Sequence, residues 1–243
     1  MSRTILVTGA SSGIGAAVAR RFLAEGWQVG LFARGEAALR EVAGGAPGAH
    51  VLPGDVTDAQ AVEAVVARLA AATGRLDVLF NNAGVFTPPG LPDEVPLAEW
   101  DRAIDVNLRG MVVAARAAFA QMRGQVPLGG RIVNNGSISA HAPRERAGPY
   151  TVTKHAITGL TKQLSLDGRP YGIAAGQIDI GNARTEIVEG IATRARAAGE
   201  AEPPSFDVGE VAQAVWMMAT LPAEANVLSM TLMATTMPYV GRG

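Results

Sequence analysis

Thr8-Gly9-Ala10-Ser11-Ser12-Gly13-Ile14-Gly15 stands directly behind an apolar run, Thr4 to Val7, and directly ahead of a segment of helical period. Glycine lacks a Cβ, so the chain can turn sharply here and bring backbone amides close to an anion. The positive end of the following helix lies behind them. A side chain at Gly13 or Gly15 is expected to obstruct that approach. A tight strand-to-helix turn without any ligand would use the same residue type, so the loop alone leaves both readings open.

Working outward, short β-branched or apolar runs alternate with longer alanine-rich segments of helical period, as in βαβ units around a buried parallel sheet. Strands are expected at Thr4–Val7, Gln28–Phe32, His50–Leu52, Val78–Asn81, Arg131–Asn135, Ile173–Ile178 and Leu228–Leu232. Helices are expected over Gly13–Glu25, Glu36–Val42, Asp58–Ala72, Leu97–Arg123, Tyr150–Asp167, Thr185–Ala197 and Val208–Leu221. Gly26 and Gly74 suit helix stops and Asp58 an N-cap. This is an α/β pattern: one doubly wound, seven-stranded parallel sheet flanked by helices, in a single domain over residues 1–243.

Composition narrows the partners. The 21 Lys and Arg nearly balance the 22 Asp and Glu, so no overall field draws the protein to nucleic acid or an anionic membrane. There is no cysteine, which excludes disulfides and thiolate chemistry, and three scattered histidines make no metal cluster. The apolar stretch Met111 to Ala120 is interrupted by Arg116 and too short to cross a bilayer. The expectation is a cytoplasmic, metal-free protein with a small-molecule partner.

Tyr150 and Lys154 lie one helical turn apart and share a face. A phenol is a poor base at neutral pH, but a nearby ammonium favours its ionised form, so Lys154 is expected to lower the pKa of Tyr150. A Ser/His hydrolase built on Ser137 with His141 or His155 lacks the Gly-x-Ser-x-Gly elbow.

Thr8 to Gly15, with Gly-x-x-x-Gly-x-Gly spacing, resembles the glycine loop of the short-chain dehydrogenase/reductase family. The resemblance continues through Asp55-Val56, Asn81-Asn82-Ala83-Gly84, Asn107, Ser137 and Tyr150-x-x-x-Lys154, in order along most of the chain. It implies a Rossmann-like fold and hydride transfer between a nicotinamide and a carbonyl or secondary alcohol. Tyr150 would be the general acid/base and Ser137 its partner on the substrate oxygen. Lys154 would hold the nicotinamide ribose, and Asn107 would order a water in a proton relay. Gly9, Ser11, Ser12, Gly13, Ile14 and Gly15 would cradle the cofactor phosphates, with Asp55 and Val56 at the adenine. Asn81, Ala83 and Gly84 would lie along the cofactor. Asp55 could equally cap a turn, and Asn81 could satisfy backbone groups between strands.

NAD-preferring relatives carry an acid where this chain has Ala33, and the next residue is Arg34, a cation suited to a 2′-phosphate. The resemblance therefore implies NADP(H) rather than NAD(H). Ile180 stands where the family often has proline; its backbone would meet the nicotinamide carboxamide, and Thr185 would contact the cofactor or cap the next helix. Residues 185–206 would form a lid over the substrate, whose identity the sequence leaves open. Helices Leu97–Arg123 and Tyr150–Asp167 would assemble a homo-oligomer, dimer or tetramer, with Met237 to Gly243 docked on a neighbouring subunit. The reading from a different class is a cofactor-sensing protein without turnover.

Overall fold

β1, Thr4–Thr8, is five residues buried on both faces, as required of a strand covered by helices on each side. Ile5 and Val7 enter one core while Leu6 enters the other. The computed structural model describes residues 2–240. In it β1 is joined by β2 (Gln28–Ala33), β3 (Ala49–Pro53), β4 (Val78–Asn81), β5 (Gly130–Asn135), β6 (Ile173–Ile180) and β9 (Ser229–Leu232). The sheet is parallel throughout, in the order β3-β2-β1-β4-β5-β6-β9. Each of its seven strands lies within two residues of its expected bounds. A separate pair, β7 (Ala183–Arg184) with β8 (Phe206–Asp207), was not foreseen.

Helices α1 (Gly13–Ala24), α2 (Glu36–Ala43) and α8 (Val208–Thr220) cover one face of the sheet. Phe22, Trp27 and Trp216 meet edge-to-face there, with ring centroids 4.9 to 5.6 Å apart. Helix α3 (Ala59–Thr73) belongs to the opposite layer, where Val62, Val66 and Leu69 join Leu6, Leu79 and Ile132. Asp58 caps it, accepting from Gln60 N at 2.9 Å and Ala61 N at 3.1 Å, and Gly74 ends it at φ +89°.

A single helix over Leu97–Arg123 does not form. The chain runs as α4 (Leu97–Ala103), a π-helical segment (Ile104–Gly110) and α5 (Met111–Gly124). The wider turns accompany two close fits: Gly110, where a Cβ would come within 3.0 Å of the Val56 side chain, and the fully buried Asn107. Helix α6 (Gly148–Gly168) begins two residues earlier than expected, with Pro149 in its first turn, and α7 (Glu186–Ala198) follows β7. No helix among the described residues is long and apolar enough to cross a membrane. Of the tail, 241–243 lie outside the described residues, and Met237 lies beside Gly181 of its own chain.

Candidate active site

The strand order reverses between β1 and β4, and at their carboxyl ends lies a cavity of about 690 Å³. Gly9, Ser11, Ser12, Gly13 and Ile14 line it, with Gly9 at φ +66° and Gly13 at φ +51°. Gly15 does not; a Cβ there would overlap the Gly9 carbonyl oxygen and crowd Asn82. The loop's own fold, not the approach of a ligand, demands that glycine. Ser12 is the N-cap of α1 yet makes no side-chain cap bond, so its hydroxyl does not occupy the amides that open the helix. Thr185, expected as either a cap or a contact, is the N-cap of α7 without a cap bond, and it sits across from Gly13. Ile180, at the end of β6, lines the same wall.

Arg34 lies exposed at the mouth beside Ala33 and makes no ion pair among the described residues. Asp55 does both things considered for it. Its Oδ1 caps a turn by accepting from Thr57 N and Oγ1, each at 2.9 Å, and the residue lines the cavity together with the buried Val56.

Asn81 does not reach the cavity. It is buried in the sheet, where its Nδ2 donates to Met111 O at 2.8 Å and Asn134 Oδ1 at 3.1 Å. The residue on the wall is Asn82, beside Ala83 and Gly84. Asn82 is locked to the glycine loop: its N donates to Thr8 Oγ1 at 2.8 Å, and its Nδ2 to Thr8 O at 2.9 Å. Asn107 holds the segment that follows β4, accepting from Val85 N at 2.7 Å and donating to Val85 O at 2.9 Å. With both ends of its amide engaged there, its side chain positions backbone before it can position any water.

At the far end α6 brings Tyr150 and Lys154 to the cavity, and β5 ends in the turn that carries Ser137. Ser137 is buried behind the wall beside the Tyr150 phenol, and its hydroxyl accepts from Ser139 N at 3.1 Å. Lys154 is buried and its Nζ donates to Asn135 O at 2.8 Å. Phe86 stacks on Tyr150 with centroids 4.5 Å apart.

The electrostatics differ from expectation. Burial pushes the Tyr150 phenol above its ordinary value, and the groups that pull it back are the Ser137 hydroxyl and the Arg144 guanidinium rather than Lys154. Lys154 is itself brought down by burial to about 8, opposed by the charge of Asp179. Its ammonium is spent on Asn135 O and lies 5.5 Å from the phenol ring centre, so desolvation outweighs it. Sequence reasoning had also passed over Asp179. Its fully buried carboxylate accepts from Ser137 N at 2.9 Å, Gln177 Nε2 at 2.6 Å and His141 Nε2 at 2.8 Å. A charged residue between Ile178 and Ile180 in an apolar strand was the available signal.

Residues 3–196 match the family model described as short chain dehydrogenase. The chain belongs to the short-chain dehydrogenase family. It is 33% identical over 241 residues to sulfoacetaldehyde reductase 2 of Chromohalobacter salexigens, covering 97% of this chain and 95% of that protein. Actinorhodin polyketide ketoreductase with NADPH superposes with a TM-score of 0.84 at 29% identity, over 96% of both chains. The fold is shared with 3-ketoacyl-(acyl-carrier-protein) reductase of Brucella melitensis complexed with NADH, at TM-score 0.82, 24% identity and coverage of 95% and 96%. The protein is thus a short-chain dehydrogenase with the family's nicotinamide-dinucleotide fold, an oxidoreductase of alcohols and carbonyls.

The short-chain dehydrogenase site fits that cofactor. Its phosphate end offers glycine-lined backbone without a competing side-chain cap. At the other end Asn135 keeps a buried Oδ1 with no partner, next to the cavity.

Proposed function

We propose that the chain is an NADP(H)-dependent carbonyl reductase in which Tyr150 gives the proton to the substrate oxygen. The carrying observation is that burial keeps the phenol in its protonated, donor form while placing it on the cavity wall. Ser137, beside that phenol, shares the substrate oxygen, and Lys154, on the same cavity wall, would hold the nicotinamide ribose. A bound nicotinamide supplies the hydride. The chain's own work is to orient the carbonyl, exclude water and deliver the proton from Tyr150 Oη.

Arg34 supports NADP(H), since a planar guanidinium free of carboxylate partners at the adenosine end suits a 2′-phosphate. Helix α7 and its flanks, residues 185–206, act as the substrate lid. Val112 on α5 and Val152 and Leu166 on α6 stay exposed, which supports homo-oligomer formation through these helices. The protein's similarity to a sulfoacetaldehyde reductase makes small aldehydes the first substrates to try. The test is Tyr150→Phe with a panel of aldehydes and ketones. Carbonyl-dependent NADPH oxidation should fall by about 10²- to 10⁴-fold with cofactor binding retained. Turnover unchanged in that variant, or tight cofactor binding with no turnover in the parent, defeats the reading.

A further inference from the structure

Asp179 and Lys154 grip the same short piece of chain from opposite ends. The Lys154 ammonium holds the carbonyl of Asn135, and the Asp179 carboxylate holds the amide of Ser137, with only Gly136 between them. Gly136 is itself tied to β6, its N donating to Ile178 O at 2.9 Å, and a Cβ there would overlap Asp179 Oδ1. The carboxylate is therefore in contact with the turn that carries the serine. Gln177 Nε2 completes Oδ1, and His141 caps Oδ2 from the solvent side, with 40% of its side chain exposed.

A carboxylate without solvent exposure is expensive unless it is hydrogen-bonded, and here three donors reach it. Asp179 does not line the cavity, so its action must pass through its neighbours. We propose that Asp179, capped by His141, is a positioning residue of this site, whose grip sets the Ser137 turn and whose buried charge strengthens the hold of Tyr150 and Lys154 on their protons. The proposal rests on Tyr150 as the proton donor and adds to that reading a control that neither Ser137 nor Lys154 supplies.

The sign follows from the charge. A negative charge behind the turn disfavours phenolate at Tyr150 and favours ammonium at Lys154, so both groups hold their protons to higher pH than they otherwise would. The other titratable groups around the pair are Arg144 and His141, on the chain between β5 and α6, with His141 bonded to Asp179, and Arg102 and Glu186 on the cavity wall. Arg144 acts on Tyr150 in the opposite direction to Asp179.

Asp179→Asn keeps the shape and the acceptor for the Ser137 amide while removing the charge. Tyrosinate absorbance of the cofactor-free protein, with Tyr150→Phe as spectral blank, should show Tyr150 titrating about half a pH unit or more lower in the Asn variant. The high-pH loss of carbonyl reduction should move the same way. A role confined to structure would lower turnover equally at every pH and leave both titrations in place, and that result overturns the proposal. If Asp179→Asn does not fold, His141→Ala decides: water then solvates Oδ2, the field weakens, and the phenol titration should move in the same direction by less. No movement there overturns it as well. A moved titration in a protein without turnover would instead defeat the proton-donor reading and leave the Asp179 field standing.

Discussion

The Lys154 ammonium donates to the Asn135 carbonyl at 2.8 Å inside the protein, and burial lowers its pKa from 10.5 to about 8. Between those values the unfolded chain keeps a proton that the folded chain has shed, so stability rises with pH across that window. Below about pH 8 the folded state carries the full penalty, on the order of 3 kcal/mol.

Lys154→Met removes that penalty and leaves Asn135 O without its donor, a loss of about 1 to 3 kcal/mol. The two nearly cancel. Calorimetry should find the variant melting within a few degrees of the parent near neutral pH and without the parent's gain between about pH 8 and 10.5. Turnover should fall by about 10²-fold or more.

Arg34→Asp replaces a cation at the cavity mouth, without an ion pair among the described residues, with an acid. A charged hydrogen bond is worth about 1.5 to 3 kcal/mol, so the preference for NADP(H) over NAD(H), read as the ratio of kcat/KM values, should drop by roughly 10- to 150-fold. A parent enzyme selective for NAD(H) would contradict the assignment of Arg34.

Gly13 and Gly15 should respond differently to alanine. At Gly13 the backbone sits at φ +51° and a Cβ would come within 3.3 Å of Thr185, so Gly13→Ala should cost about 1 to 2 kcal/mol and weaken cofactor binding. At Gly15 the new atom would overlap a fixed carbonyl, so Gly15→Ala should destabilise more, by about 3 kcal/mol or beyond. Urea denaturation orders the two.

Asn81→Ala should cost about 1 to 3 kcal/mol, because Met111 O and Asn134 Oδ1 lose their buried donor. Cofactor affinity, measured by fluorescence titration, should stay within about twofold of the parent, since the side chain never meets the cavity.

The sheet was legible because its strands announce themselves as apolar runs and its turns as glycines, so even Gly26 and Gly74 mark helix ends correctly. The pairing of Tyr150 with Lys154 was legible for the same reason: helical spacing fixes a shared face. Asn81 and Asn82 are identical and adjacent, and only the point at which β4 ends decides which one turns inward. The π-helical turns at Asn107 leave no trace in an alanine-rich run, because they answer to Val56 and Val85, more than twenty positions away. His141 and Asp179 are 38 positions apart and meet only once β5 and β6 lie side by side. The rise in the Tyr150 pKa escaped notice because burial is a property of the folded surroundings, whereas spacing reports only that a lysine is near.

The two-residue ladder between β7 and β8 pairs Ala183 with Phe206 and Arg184 with Asp207, so both feet of the α7 excursion are fastened to each other. What lies between those feet is an excursion with a fixed entrance and exit. Changes in its exposed residues act between two fixed feet, so they bear on the cavity mouth, where Glu186 and Val188 stand, before they bear on the seven-stranded sheet. Under the proposed reading, substrate choice can be altered from this stretch while Ser137 and Tyr150, carried on other elements, keep their places.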